Sequence, residues 1–263
     1  MVQKPEIRTV EVIRYLTPLR EGGSLPAIVE ADDEFLYVLK FRGAGQGIKA
    51  LIAELIGGEI VRAAGLKIPE IVFAQVDPAF GRTEPDEEIQ DLLKASAGLN
   101  LGLHYLSGAI SFDPVVNKID PLTASKIVWL DALLLNVDRT ARNTNMLFWQ
   151  KELWLIDHGA ALYFHHGSVN WEENSLKKFV QVKDHVLLPI ATELEKADEE
   201  LRKVLNHGVI NSILEVIAEE WLISDDEKDP EKMRMVYQNF LLNRIENSAI
   251  FLNEAQNARK ALI

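Results

Sequence analysis

The stretch from Leu133 to Leu162, LLLNVDRTARNTNMLFWQKELWLIDHGAAL, decides the fold of this chain. An apolar segment with helical spacing leads into a polar loop that holds Asp138 and, five residues later, Asn143. Two short β-forming runs follow, MLFW and ELWLI, and the second ends just before Asp157 and Gly159. A hairpin of these runs would bring Asp157 back beside the polar loop, so that side chains nineteen residues apart face one ligand.

Composition and charge restrict the class of protein. The 263 residues are 48% hydrophobic and 26% charged, as in globular proteins with a large core. Cysteine is absent, which excludes disulfides and a cysteine nucleophile and fits a reducing cytoplasm. The net charge of −12 makes a nucleic-acid or anionic-membrane partner improbable. Neither a targeting signal nor a long apolar run is evident, so we expect a cytoplasmic protein that does not span a membrane.

The pattern of elements changes along the chain, which predicts two lobes with a cleft between them. The first part is β-rich, with one helix at Ile48–Ala64 and a short helix within residues 78–98. Its predicted strands are Val10–Tyr15, Ile28–Ala31, Phe35–Phe41, Ile71–Val76 and a run that starts at Leu101 and ends in a connector at Ala109. The second part is helical apart from the hairpin, with predicted helices at Pro121–Leu135, 183–191, Ala197–Asn206, Val209–Glu220 and Pro230–Ala261, the last of them broken near Asn243 or Asn247.

The residues of the polar loop and the hairpin suit phosphoryl transfer. One carboxylate can orient a hydroxyl, while an amide oxygen and a second carboxylate hold Mg²⁺ against phosphates. For Asp138 or Asn143 alone, capping of a local turn is the simpler interpretation. Their combination with the hairpin and Asp157 favours a catalytic site.

Longer segments resemble a known family. The chain is similar to the HipA-like kinases of the smaller type, within the protein-kinase-like superfamily, over nearly its whole length. The segments that carry the resemblance are YVLKFRGAGQGIKALIAELIGGEIVRAAGLKIPE, LGLHYLSGA, WLDALLLNVDRTARNTNMLFW and LWLIDHGAALYFHH. The resemblance implies an α+β, two-lobed protein-kinase-like fold. We expect a β-rich nucleotide-binding lobe over residues 1–107 and a mostly helical lobe over 108–263.

The resemblance also implies roles for individual residues. Asp138 matches the catalytic-loop aspartate, and Asn143 and Asp157 match the ligands of Mg²⁺. Lys40 matches the lysine that holds the α- and β-phosphates of ATP, and Glu54 matches the helix glutamate that pairs with it. Glu59 is the rival for that pairing. The phosphate-covering loop and the hinge are expected to supply the remaining nucleotide contacts, from Gly22, Gly23, Ser24, Tyr105 and Leu106.

Some assignments stay open at this stage. Either Arg142 or Arg139 could contact the γ-phosphate, and Arg142 is preferred as the catalytic arginine. Asn145 is a second candidate amide for the metal. His165 and His166 are expected as loop residues near the acceptor side of the cleft.

The sequence leaves several functions open. The resemblance implies ATP and Mg²⁺ as cofactors and a serine or threonine hydroxyl of a protein as acceptor, with Ser24 as a candidate autophosphorylation site. A small-molecule hydroxyl is an alternative acceptor. Because the glycine loop lacks the GxGxxG pattern, a non-catalytic nucleotide- or partner-binding pseudokinase is a second alternative. A helical scaffold without nucleotide is a third, and the long C-terminal segment could form a homodimer interface.

Overall fold

A closed five-stranded β-barrel forms the N-terminal part of the protein. The computed structural model describes residues 4–19, 25–45, 47–80, 86–167, 170–225 and 227–262. The barrel strands are β1 (Thr9–Pro18), β2 (Ala27–Ala31), β3 (Leu36–Lys40), β4 (Ile71–Val76) and β5 (Gly98–His104). β1–β2, β2–β3, β3–β5 and β4–β5 pair antiparallel, and β4 closes the barrel by pairing parallel to β1. Alternate side chains such as Val29, Tyr37 and Leu39 fill the interior, which is the two-residue period of a strand.

The helix between β3 and β4 is enclosed on all sides. This helix, α1, spans Ile48–Ala63, and its residues from Leu51 to Val61 are all buried. Gly57 lies in the middle of α1, where glycine costs helix stability relative to alanine. The reason is close packing, because a Cβ atom built at Gly57 would lie 2.7 Å from Cβ of His158. A second, shorter helix, α2 (Glu87–Ala95), precedes β5.

The C-terminal part is mostly helical and carries a small three-stranded sheet, which confirms the α+β, two-lobed arrangement. The sheet has the order β6-β7-β8, with β6 at Ile110–Ser111, β7 at Met146–Trp149 and β8 at Glu152–Leu155. The helices are α3 (Pro121–Leu134), α4 (Trp171–Ser175), α5 (Leu194–Val204), α6 (His207–Leu214), α7 (Glu219–Leu222), α8 (Pro230–Glu246) and α9 (Ala249–Lys260). Within the described ranges no helix is both long and apolar enough to cross a membrane.

Helix α3 forms the centre of the C-terminal core and delivers the polar loop. Asp120 caps its start by accepting the backbone N–H of Thr123, and Pro121 occupies the first helical position. Its apolar residues lie on every face, as expected for a helix surrounded by protein. The helix ends at Leu134. The next residue, Leu135, has a left-handed backbone with φ 56°, and the chain turns there into the loop.

The prediction of a helix over residues 183–191 is wrong. Two short 3-10 turns stand in its place, Val180–Asp184 and Leu188–Ile190. The ring of His185 accepts the backbone N–H of Leu187, and such side-chain bonds compete with helical ones. Pro189 adds a residue with no backbone N–H to donate.

Two other predicted helices are interrupted. The helix expected at Val209–Glu220 is divided into α6 and α7, and the side chain of Arg234 satisfies the carbonyls of Leu214 and Ile217 at the interruption. The long C-terminal helix breaks after Glu246, at the second of the two predicted positions.

Candidate active site

A tight hairpin returns the second aspartate to the polar loop. Strands β7 and β8 pair antiparallel, and the turn residues Gln150 and Lys151 both have positive φ. That geometry matches the twist of the flanking strands. Asn145 and Asp157 directly flank the hairpin, and the backbone N–H of Ile156 donates to the carbonyl of Asn145 at 3.0 Å. The hairpin therefore sets Asp157 beside the loop that carries Asp138.

Lys40 meets two carboxylates in the cleft between the lobes. Its Nζ lies 2.7 Å from Oδ1 of Asp157 and 3.8 Å from Oε2 of Glu54. Glu54 is buried, whereas the side chain of Asp157 is 38% exposed. Burial alone would lower the pKa of Lys40, but the carboxylates of Glu54 and Asp157 outweigh it and raise that pKa. The lysine is therefore a firmly charged group with one partner open to solvent.

Glu54 holds its charge for the matching reason. Burial would raise the pKa of its carboxyl, but Lys40 and the hydrogen bond from His158 outweigh burial, so the pKa lies below its ordinary range. The rival Glu59 points elsewhere and pairs with Arg62 at 3.2 Å. Burial raises the pKa of Glu59. The structure thus places Glu54, and not Glu59, next to Lys40.

The carboxylate of Asp138 is oriented by two amides. Nδ2 of Asn143 donates to its Oδ2 at 2.8 Å, and Nδ2 of Asn145 donates to the same oxygen at 3.1 Å. Its backbone N–H donates to Oδ1 of Asn136 at 3.3 Å. Within the described residues nothing donates to Oδ1 of Asp138. That oxygen is therefore unpaired in the part of the chain that the structure describes.

The two arginines of the loop differ in burial. Arg139 is only 1% exposed, and its guanidinium donates to Asp131, to the carbonyl of Asn145 and to His158. The alternative in which Arg139 contacts a γ-phosphate is therefore wrong, because its donors are already engaged inside the protein. Arg142 is exposed at the loop surface.

The buried carboxylate of Asp131 accepts hydrogen bonds from three side chains, a role that was not among the sequence predictions. Its Oδ2 accepts from Nε of Arg139 at 2.6 Å and from Nε2 of His185 at 2.9 Å, and its Oδ1 accepts from Asn136 at 2.8 Å. Burial would raise the pKa of Asp131, but Arg139 and His185 hold it well below its usual range. The available signal was a single carboxylate within the apolar second half of helix α3.

Strained backbone is concentrated around the loop and the hairpin. Asn145 and Asp157 have φ of 48° and 56°, a left-handed conformation that these residue types tolerate best after glycine. Leu135 and Leu162 have φ of 56° and 54°, which is costly for leucine. The backbone N–H of Leu162 donates to the carbonyl of Leu134, the residue before Leu135, at 2.7 Å. Such strain is characteristic of functional sites.

The structure describes two of the other residues predicted to contact the nucleotide. Tyr105 and Leu106 follow β5 directly, and the backbone N–H of Tyr105 donates to the carbonyl of Leu36. Leu106 is buried and Tyr105 is half-buried. The predicted phosphate-covering residues lie outside the described residues, namely Gly22, Gly23 and Ser24.

His165 and His166 were expected in a loop near the acceptor side of the cleft. They end a 3-10 turn, and their Nε2 atoms lie 3.2 Å apart. Nδ1 of His165 bonds to the hydroxyl of Tyr237 at 2.9 Å, and Nζ of Lys49 donates to the carbonyl of His165. Burial lowers the pKa of His165 to about 3. Lys49 thus ties the start of α1 to the segment that follows Asp157.

The polar groups of the cleft fit a phosphate-bound cation. Asp157 supplies a partly exposed carboxylate, and Asn143 has an amide oxygen that accepts no hydrogen bond from the residues described. Oxygen atoms of this kind are the ligands of Mg²⁺, which commonly keeps only one or two protein ligands beside phosphate. Across the described ranges no group of three or more histidine, aspartate or glutamate side chains is arranged to hold a metal.

Comparison with known proteins gives a family and a fold. A sequence model of the family described as HipA-like kinase matches residues 10–253. No curated protein matches the sequence significantly. The structure is similar to the Helicobacter pylori proinflammatory kinase CtkA, with a TM-score of 0.56 and 13% identity over 98% of this chain and 99% of that chain. The golgi casein kinase gives a TM-score of 0.36 at 12% identity over 94% and 73% of the two chains, too low to support an argument.

Proposed function

The chain belongs to the HipA-like kinase family, and we propose that it is an ATP- and Mg²⁺-dependent phosphotransferase that acts on serine or threonine hydroxyls of proteins. The observation that carries the proposal is the position of Lys40 between Glu54 and Asp157, in one cleft with the oriented carboxylate of Asp138. In the proposed division, residues 1–107 bind the nucleotide and residues 108–263 carry the catalytic loop.

Lys40, Asp157 and Asn143 would hold the nucleotide and its metal. When bound, ATP would supply the phosphoryl group and Mg²⁺ would neutralise part of the phosphate charge. Lys40 is charged and only 13% exposed, so it offers a fixed cation to the α- and β-phosphates. Asp157 and the amide oxygen of Asn143 would be the metal ligands. Phosphoryl transfer needs little covalent help, so this positioning is the main contribution of the protein.

Asp138 would orient the acceptor. Since Asn143 and Asn145 hold Oδ2, the free Oδ1 can accept the hydrogen of a hydroxyl. Arg142, exposed on the same loop, would contact the γ-phosphate in this scheme. The net charge of −12 disfavours an acidic acceptor, which supports a neutral or basic segment of a protein.

The first experiment is a thermal-shift titration with ATP, with and without Mg²⁺, on the wild type and on Asp157→Asn. Ligand at a hundredfold excess over Kd should stabilise the wild type by roughly 2.7 kcal/mol. For a protein of this size that is a rise in Tm of roughly 5–10 °C. The Mg²⁺-dependent part should be lost in Asp157→Asn and kept in Asp91→Asn, a matched change of an aspartate that is 78% exposed on α2.

Transfer of the γ-phosphate then separates a kinase from a nucleotide-binding pseudokinase. The wild type should release ADP and label a basic test protein or itself, and Asp157→Asn should do neither. Nucleotide that binds and stabilises the wild type without any release of ADP would refute the enzymatic proposal. Near-normal turnover by Asp157→Asn would refute the assignment of the metal ligand.

A further inference from the structure

His158 lies between the two lobes with no access to solvent. Its Nε2 is 3.1 Å from Nη2 of Arg139. A guanidinium can only donate hydrogen bonds, so Nε2 of His158 must be the acceptor. A neutral imidazole that accepts at Nε2 carries its proton on Nδ1. The contact with Arg139 therefore determines the tautomer of His158.

The opposite side of the same ring faces Glu54. Nδ1 of His158 lies 3.8 Å from Oε1 of Glu54, and both atoms are buried without a hydrogen-bond partner among the residues described. The backbone N–H of His158 donates to Oε2 of Glu54 at 2.9 Å. Buried polar atoms rarely remain unpaired. The distance of 3.8 Å is too long for a hydrogen bond, but Nδ1 of His158 and Oε1 of Glu54 are the unpaired polar atoms that lie nearest to each other here. His158 thus approaches both oxygens of the carboxylate that pairs with Lys40.

Arg139 continues the connection into the catalytic loop. Its Nε donates to Asp131, and its Nη1 donates to the carbonyl of Asn145, whose side chain orients Asp138. One guanidinium therefore contacts His158 and also fixes the loop that carries the proposed catalytic aspartate.

We propose that His158 is a positioning residue that connects the catalytic loop to the Lys40–Glu54 pair, with Nε2 accepting from Arg139 and Nδ1–H directed at Glu54. The inference rests on the proposed function, since it concerns how Lys40 is kept in place for phosphate. Packing supports it, because α1 has a glycine at position 57, where any Cβ would overlap His158. An apolar residue in place of histidine would leave Nη2 of Arg139 without this acceptor and Oε1 of Glu54 without the ring nitrogen that faces it.

Nitrogen NMR of the histidine rings tests the tautomer without any measurement of activity. His185 is an internal control, because its Nδ1 accepts the backbone N–H of Leu187 at 3.0 Å and its Nε2 donates to Asp131. Long-range ¹H–¹⁵N correlation spectra at neutral pH should show the Nδ1–H tautomer for His158 and the Nε2–H tautomer for His185. Loss of each signal in His158→Gln and His185→Gln assigns them. A His158 ring protonated on Nε2 would overturn the proposal.

Turnover kinetics test the positioning role. His158→Phe should lower kcat by about 10–100-fold, as expected when reacting groups shift by up to 1 Å. His158→Gln, whose amide can accept from Arg139 and donate to Glu54, should recover part of that loss. The double variant Glu54→Gln/His158→Phe should have a kcat only slightly below that of Glu54→Gln alone. A kcat lowered by the product of the two single effects would refute the connection. The NMR spectra could show the expected tautomers while the wild type shows no turnover. In that case the proposed function would fail, and the buried contact of His158 would stand.

Discussion

Gly57→Ala should reduce catalysis far more than stability. The added methyl group would lie 2.7 Å from Cβ and 3.1 Å from Cγ of His158. Ordinary carbon contacts are about 3.5–4.0 Å, so the overlap is close to 1 Å. Because Cβ of His158 is bonded to the backbone next to Asp157, the overlap cannot be relieved by rotating a side chain. Either α1 or the Asp157–Gly159 segment must move.

The free-energy terms nearly cancel. Alanine gains about 1 kcal/mol over glycine in a helix interior, while overpacking a core costs about 1–3 kcal/mol. The net loss of stability is therefore between zero and about 2 kcal/mol. A displacement near 1 Å at the reacting groups costs about 100-fold in rate. We expect kcat for phosphoryl transfer to fall by about 10–100-fold.

Gly58→Ala is the matched control. Its methyl group would meet Cδ1 of Ile71 at 2.5 Å and Cδ1 of Ile68 at 2.6 Å, which are the ends of side chains and not part of the Asp157–Gly159 segment. It has the same gain in helix propensity and a comparable overlap. Urea denaturation and steady-state ADP release should show similar stabilities but a loss of turnover in Gly57→Ala alone. Turnover of Gly57→Ala within twofold of the wild type would refute the reasoning.

Four further substitutions test the buried arginines, one exposed arginine and the buried His165. Arg139→Met should lower the free energy of unfolding by roughly 3 kcal/mol or more, because Asp131 keeps a buried charge without its guanidinium. Arg142→Met, at an exposed position, should change it by less than about 0.5 kcal/mol, and equal effects in urea denaturation would contradict the assignment of burial. The pKa of His165 falls from 6.5 to about 3 on burial, so below pH 6.5 the unfolded state takes up a proton that the folded state does not. As the pH falls below 6.5, this group should therefore lower the free energy of unfolding by up to about 1.4 kcal/mol per pH unit. His165→Asn should flatten this decline between pH 6.5 and 4.5. An unchanged slope in the variant would exclude His165 as its source. Arg244→Leu should cost a few kcal/mol (~3), because the buried guanidinium donates to four backbone carbonyls, and a Tm close to that of the wild type would show that they find other donors.

Local patterns were sufficient for most elements of the fold. The β-rich runs Ile28–Ala31 and Phe35–Phe41 predicted two strands, which the structure confirms as β2 and β3, with Ile28 paired to Val38. The proline at the start of α3 and the apolar spacing after it predicted a helix whose end is correct to one residue. These features depend on residues that are close together in the sequence, so local patterns are enough to predict them.

The failures have a common cause in contacts between distant segments. His185 ends the predicted helix at 183–191 because its ring bonds to the backbone and to Asp131 on α3. Arg139 has the appearance of a phosphate ligand until the fold shows that Asp131 and His158 engage it. Partners 8 to 54 residues apart leave no periodic signal. The position of a buried polar group therefore had to come from the structure.

The enclosure of α1 determines how the proposed site can be controlled. The helix carries Glu54 and lies between β5 of the barrel and helices α3, α6 and α7 of the C-terminal part. Leu55, Ile56 and Ile60 on α1 are fully buried, and exposing three such side chains would cost roughly 5–9 kcal/mol. That cost is comparable with the whole stability of a typical domain, about 5–15 kcal/mol. Withdrawal of α1 would thus amount to partial unfolding, so the Lys40–Glu54 pair is assembled when the chain folds. Control of this enzyme should then act on the Lys40–Asp157 contact and on access to the cleft, where the side chain of Asp157 is already part-exposed.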